Sequence, residues 1–423
     1  MHKLLLFVGV LFISLSSRAQ IEEIRRITET LCSPEFHGRG YVNKGDSIAA
    51  DYLVSEFQKL GCEPYKGDYL QHFNINQVNT FPNTMMVKVG EIELVPGVEF
   101  VVHPYSPSFQ GTLSPIVLDG ESFYEEGAIS QSLEEIMGGR SGKNAIALKY
   151  STFHEDSLKN LRGIAEALAE YVPVIELVDH KFTWSVGRGQ LQNTVIQIQE
   201  GSVREEPVIT VNINAELVTN YQSQNVMAYI PAKKKCKETI VFTAHYDHLG
   251  RMGTDTYFPG GNDNASGTAM LLTMAKYFKE NPSEYNILFI AFAGEEAGLL
   301  GSEYFVQNTP IKLKKIRFLL NLDIMGSGEE GITAVNGTIH EKEFDLLSSI
   351  NDELGLLAKV KRRGPTQNSD HYWFSEQGVP AFFIYTMGTN KNYHDVDDTY
   401  ENLTFSEYED ITKLLVTFVD RLD

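Results

Sequence analysis

Four apolar runs, at 239–244, 286–292, 316–322 and 379–385, dominate the second half of this chain, and each is too uniformly hydrophobic to leave a face in water. Between them lie stretches with apolar residues at helical spacing, notably 266–279 and 341–352. Strands buried on both faces and alternating with helices predict an α/β fold, a three-layer, mostly parallel sheet flanked by helices. Such sheets bind ligands beyond the carboxyl ends of their strands. A chain of 423 residues has room for a large domain of this kind and for a second unit.

The N-terminus combines Lys3, an apolar run over 4–15 and Ala19 at a cleavage-like position, so residues 1–19 are expected to be a signal peptide. Export to the periplasm or the extracellular space follows from that. The apolar run is about 12 residues, short of the roughly 20 that cross a bilayer, so no membrane anchor is expected after cleavage. Helical spacing recurs at 21–31 and 46–60, on either side of a glycine-rich stretch at 35–43. Over 100–202 the texture shifts to short apolar runs, at 145–150 and 172–178, around one helical stretch near 161–171. This predicts a small β-rich insert at 100–202 within a main domain formed by 20–99 and 203–423.

A formal net charge of −20 argues against a nucleic-acid partner, since a polyanion would be repelled. The basic run at 233–235 is a solvated turn by its surroundings. Three cysteines, Cys32, Cys62 and Cys236, form no disulfide framework; Cys32 and Cys62 are either one pair or two buried thiols.

Each of the four strand runs leads into residues able to hold a metal. The first runs into AHYDHLG, with His245 and Asp247; the second into AGEE, with Glu295 and Glu296; the third into NLD, with Asp323; the fourth towards YHD, with His394. Asp263 lies between the first two, in GGNDNASG before a helix. Imidazole and carboxylate without thiolate is a catalytic ligand set and suits zinc. Two imidazoles and three carboxylates can serve two ions, about 3.5 to 4 Å apart, if one carboxylate bridges, and Asp263 on its own loop is the natural bridge. Of the adjacent pair Glu295 and Glu296, one can bind metal while its neighbour faces the water as general base. Asp247, two residues after His245, is placed to accept the second ring N–H of that histidine.

These stretches, together with AFAGEEAGLLGS, NLDIMG, SDHYWFSEQGVPA and YHDVDDTYENL in this order, resemble metallopeptidase family 28, the co-catalytic di-zinc exopeptidases. The resemblance covers about half of the chain, from Val208 onward, and SPEFHGRGYVNKGDSIAADYLVSEFQKLG resembles the family's N-terminal helical segment. It implies a zinc exopeptidase acting on peptides, with two zinc ions: His245 and Asp323 on one, Glu296 and His394 on the other, Asp263 bridging. It further implies Glu295 as base, Asp247 behind the first histidine, Asn264 in a cis peptide bond with Asp263, and Tyr393 as an oxyanion-stabilising or packing residue. Asp370 and Asp398 match motifs where helix capping and loop fixing are the expected roles. The tail motif reads YHDVDDT where many family members have Thr and Pro shortly after the His, and 251–260 is an additional loop expected to line the cleft. The insert resembles a diverged protease-associated domain. An aminopeptidase is expected first. A single-zinc glutaminyl cyclase, a metal-free receptor-like relative, and a carboxypeptidase using Arg362 and Arg363 are the alternatives.

Overall fold

The computed structural model describes residues 21–83, 85–139, 141–203 and 207–422; the segment expected to be a signal peptide lies outside them. At its centre the strands Asn286–Phe292, Thr239–His245, Ile316–Leu322 and Ala381–Met387 lie side by side, all parallel. Their alternating side chains feed two layers. Ile240, Phe242, Ile287, Phe289, Phe318 and Leu320 pack on one face against the helices Gly45–Lys59, Gly267–Glu280, Glu341–Leu354 and Tyr408–Arg421. Val241, Leu288, Ile290 and Leu319 pack on the other against Phe305 and Phe374, from the helices Leu300–Gln307 and His371–Glu376. Each fully buried side chain of this kind stabilises the fold by roughly 1.5–3 kcal/mol.

The flanks depart from the mostly parallel sheet expected. Glu216–Ile230 joins Asn286–Phe292 antiparallel, Gly331–Val335 joins Ala381–Met387 antiparallel, and Leu70–Thr80 pairs antiparallel with Glu216–Ile230. The nine-stranded sheet is therefore mixed, with its four central strands parallel and a further parallel pair, Gly331–Val335 with Val360–Arg362, at one edge. The physical reason is exposure: the first half of Glu216–Ile230 keeps much of its surface in water, so it carries polar residues and no continuous apolar run.

A second buried cluster extends from Phe81 to Ile213, wider than the 100–202 expected for an insert. Its five-stranded sheet, Phe100–Val102 through Pro115–Leu118, is accompanied by a four-stranded one that draws Met85–Val89 and Ile209–Ile213 from either side. It also holds a helix absent from the sequence reading, Ala128–Gly138, which lays Ile129, Leu133 and Ile136 on this core. The 251–260 loop is anchored through Met252 and Phe258, which are buried in this second core, with Phe258 stacked on Trp184 at 4.7 Å. Cys32 and Cys62 are buried free thiols. Lys233 pairs with Glu284 across a solvent-facing turn.

Candidate metal centre

The parallel strands all finish at one edge, and the residues that follow them converge there. His245 closes its strand with Nε2 3.2 Å from Asp263 Oδ1 and 3.4 Å from Asp323 Oδ1. His394 brings Nε2 to 3.0 Å from Asp263 Oδ2 and 3.3 Å from Glu296 Oε2. Asp263 thus offers one oxygen to each imidazole, and the cluster divides into two halves that meet on it. Asp323 Oδ1 is buried without a hydrogen-bond partner, while its Oδ2 accepts from Ser369 Oγ at 3.1 Å. Glu295 stands with Glu296 and His245, close enough for their donor atoms to share an ion.

Asp263 owes its position to a heavily bonded loop, Gly261–Ser266, that runs into the Gly267–Glu280 helix. The Asp263–Asn264 peptide bond is cis. Asn264 donates Nδ2–H to Leu322 O and accepts from the amides of Gly267 and Ile324. Asp398 accepts the amides of Asn262 and Asp263 at 2.9 and 3.0 Å, the loop-fixing role expected of it. Asp370, expected to cap a helix, starts the His371–Glu376 helix without a side-chain capping bond. Arg39, which the sequence did not single out, is fully buried. It donates to the carbonyls of Tyr246, Leu31, Pro259 and Gly260 at 2.6–2.9 Å and thereby ties the Asp263 loop to the N-terminal segment.

Asp247 differs from expectation. The ring Nδ1 of His245 meets the backbone carbonyl of Asp247 at 3.2 Å, whereas the carboxylate Oδ1 is 3.8 Å away. Past the strand end the chain turns, and the carboxylate instead accepts the amides of Glu295 at 3.2 Å and Glu296 at 3.3 Å. Asp247 therefore holds the turn that presents base and ligand together. His394 Nδ1 meets the carbonyl of Trp184, from the second core, at 3.0 Å, and Trp184 donates its amide back to His394 O at 2.8 Å. Lys181, three residues earlier, pairs with Asp395 and Asp397. Tyr393 stacks on the His394 ring at 4.0 Å and stays about half exposed, 48%. His248 was not predicted: it is fully buried with Nδ1 2.8 Å from Glu296 Oε1.

Burial raises the Glu295 carboxyl well above the usual range, and Glu296 beside it adds to the effect. Burial likewise pushes Asp247 up to about 8 and Asp370 to about 7. Burial would lower both imidazoles, yet Glu295 and Asp323 hold His245 above its ordinary range and Glu296 holds His394 near 11. Burial would raise Glu296, but His394 brings it to about 2. Buried imidazoles and carboxylates, each drawing positive charge onto carboxylate oxygens, fit a divalent metal.

A buried imidazole and carboxylate set without thiolate, on the strand ends of an α/β sheet, defines a metal site of the catalytic class. Residues 225–419 match Peptidase family M28. It is 34% identical over 197 residues to aminopeptidase YwaD of Bacillus subtilis (strain 168), covering 44% of this chain and 42% of that one. It is 28% identical over 222 residues to a probable leucine aminopeptidase of Trichophyton verrucosum, covering 49% and 58%. The matches thus span about half the length of these curated relatives. Among solved structures, BSAP, a zinc aminopeptidase from Bacillus subtilis, aligns with a TM-score of 0.67 at 19% identity, covering 94% of this chain and 93% of that one. An aminopeptidase from Aneurinibacillus sp. strain AM-1 aligns at 0.62 and 20%, covering 95% and 93%. These structural likenesses show the fold.

Proposed function

We propose that this protein is an exported aminopeptidase with two zinc ions, removing N-terminal residues from peptides. The observation that carries the proposal is the division of Asp263, one oxygen 3.2 Å from His245 and the other 3.0 Å from His394. His245 and Asp323 would hold one ion and His394 and Glu296 the other, with Asp263 shared. When bound, such a pair supplies polarisation of the scissile carbonyl and acidification of the attacking water.

The chain's own groups do the rest. Glu295, partly buried and with its carboxyl raised, is poised to accept the water's proton and to return it to the leaving amine. Asp247 keeps Glu295 and Glu296 on one turn. The carbonyl of Trp184 sets the tautomer of His394 with Nδ1–H, leaving Nε2 free as a ligand. Tyr393, whose phenol is raised by burial and by the site's carboxylates, overhangs His394 as an oxyanion donor. The two arginines considered for a substrate carboxylate are engaged elsewhere, Arg362 with Asp345 and over Phe344, Arg363 with Tyr385, which supports amino- over carboxypeptidase action.

The test is metal content and turnover of the chain expressed without residues 1–19. Two zinc ions per chain and hydrolysis of aminoacyl reporters are expected, with Glu295→Gln lowering turnover by about 10²- to 10⁴-fold while zinc stays bound. One zinc with cyclisation of N-terminal glutamine, or a Glu295→Gln variant as active as wild type, would sink the proposal.

A further inference from the structure

His248 stands three residues beyond His245, fully buried and within reach of Asp263 and Glu296, and the ligand set and proton path described above do not use it. Its Nδ1 lies 2.8 Å from Glu296 Oε1, whereas its buried Nε2 has no hydrogen-bond partner. Those two facts decide the tautomer. With the proton on Nε2, two lone pairs would repel each other across 2.8 Å and an N–H would be buried unused, both unfavourable. With the proton on Nδ1, the carboxylate receives a hydrogen bond and only a lone pair is left without a donor.

We propose that His248 is a positioning residue of the metal centre: it donates Nδ1–H to Glu296 Oε1 and so presents Oε2 as the one oxygen that Glu296 offers to an ion. Oε2 is the oxygen 3.3 Å from His394 Nε2, on the side where the second half of the cluster converges. This role presupposes the two-ion centre proposed above. It explains how a carboxylate crowded by Asp263, Glu295 and Asp247 keeps one orientation.

The ring is clamped for the task. Gly260 has φ +59, and a Cβ there would come within 2.4 Å of His248 Cδ2, so a bare glycine makes the seat. On another side the ring meets His394 edge to face at 5.8 Å. Arg39 supports both walls, accepting the His248 amide on its carbonyl at 3.3 Å and donating to Gly260 O at 2.7 Å. The N-terminal segment, the AHYDHLG turn and the GGNDNASG loop thereby act together on one oxygen atom of Glu296.

Carboxylate ligands that lose such a partner lose roughly 10- to 100-fold in metal affinity. Zinc stoichiometry in buffers of fixed free zinc should show the second ion of His248→Leu weakened by that factor while the first binds as in wild type. His248→Asn, whose side-chain amide can reach the same oxygen, should recover most of the loss. Imidazole ¹⁵N spectra of the wild-type zinc protein, with the signal assigned by its disappearance in His248→Asn, should show protonated Nδ1 and unprotonated Nε2. Equal weakening of both ions, wild-type affinities in a folded His248→Leu protein, or protonation at Nε2 would each overturn the role. If the leucine variant does not fold, the asparagine variant and the wild-type spectrum still decide. Fewer than two zinc ions in wild type would instead overturn the two-ion centre, leaving the tautomer to judge His248 by itself.

Discussion

Replacing Arg39 by methionine should unfold this protein more readily than its place in a loop suggests. The guanidinium is wholly buried, makes four hydrogen bonds of 2.6–2.9 Å to main-chain carbonyls, and reaches Asp263 O at 3.5 Å. A hydrogen bond to a charged group is worth about 1.5–3 kcal/mol, so the four sum to roughly 6–12 kcal/mol. Returning the guanidinium to water in the unfolded state recovers several kcal/mol of desolvation, and methionine refills much of the volume. What is left is a set of four buried carbonyls without donors, a net loss of about 3–5 kcal/mol. Urea unfolding followed by tryptophan fluorescence, with chelator present for both proteins so that metal binding does not contribute, measures this difference. Arg39→Lys should recover less than half, because one ammonium cannot span acceptors on three separate segments. A loss below about 1 kcal/mol for Arg39→Met would refute the reasoning, since it would mean the carbonyls find other donors at no cost.

Trp184→Ala should cost about 3–5 kcal/mol, as the ring is buried against Phe258, and should also weaken zinc binding by loosening the carbonyl on His394 Nδ1; Trp184→Phe should restore most of both, read by unfolding and zinc titration. His103 is held neutral, down to about 3, by burial and by Arg162, because the exposed carboxylate of Glu166, though 3.1 Å away, is too well solvated to offset that. The unfolded chain then binds the extra proton between about 6.5 and 3, so stability falls as pH falls through that window, by about 2 kcal/mol at pH 5; a His103→Gln variant should lose this part of the acid sensitivity, and an unchanged profile would contradict it.

The central strands were legible because a strand buried on both faces admits only apolar residues, as in 286–292 and 316–322. Leu70–Thr80 and the exposed half of Glu216–Ile230 were not, since one face meets water and their composition resembles that of loops. Strand ends likewise pointed to His245, Glu295, Glu296, Asp323 and His394, and the glycine- and asparagine-rich loop between two of them to Asp263. Asp247 was assigned the wrong partner because two-residue alternation holds only while the chain stays extended, and it turns after His245. Arg39 looks like an exposed loop residue until carbonyls from distant segments close around it. His248 offered one clue, a second imidazole in AHYDHLG, but its use depends on the empty side of Gly260. Trp184 acts through its main chain, and no side-chain pattern encodes that.

The contact between Trp184 and His394 joins residues 210 positions apart, one of them buried in the second hydrophobic core and the other in the cluster at the strand ends. Loop closure over such a separation is slow compared with local pairing. The orientation of the His394 ring therefore depends on a carbonyl supplied from the other side of the sequence, so on the two-zinc reading a partly unfolded protein should fill the half of the site around His245 before the half around His394.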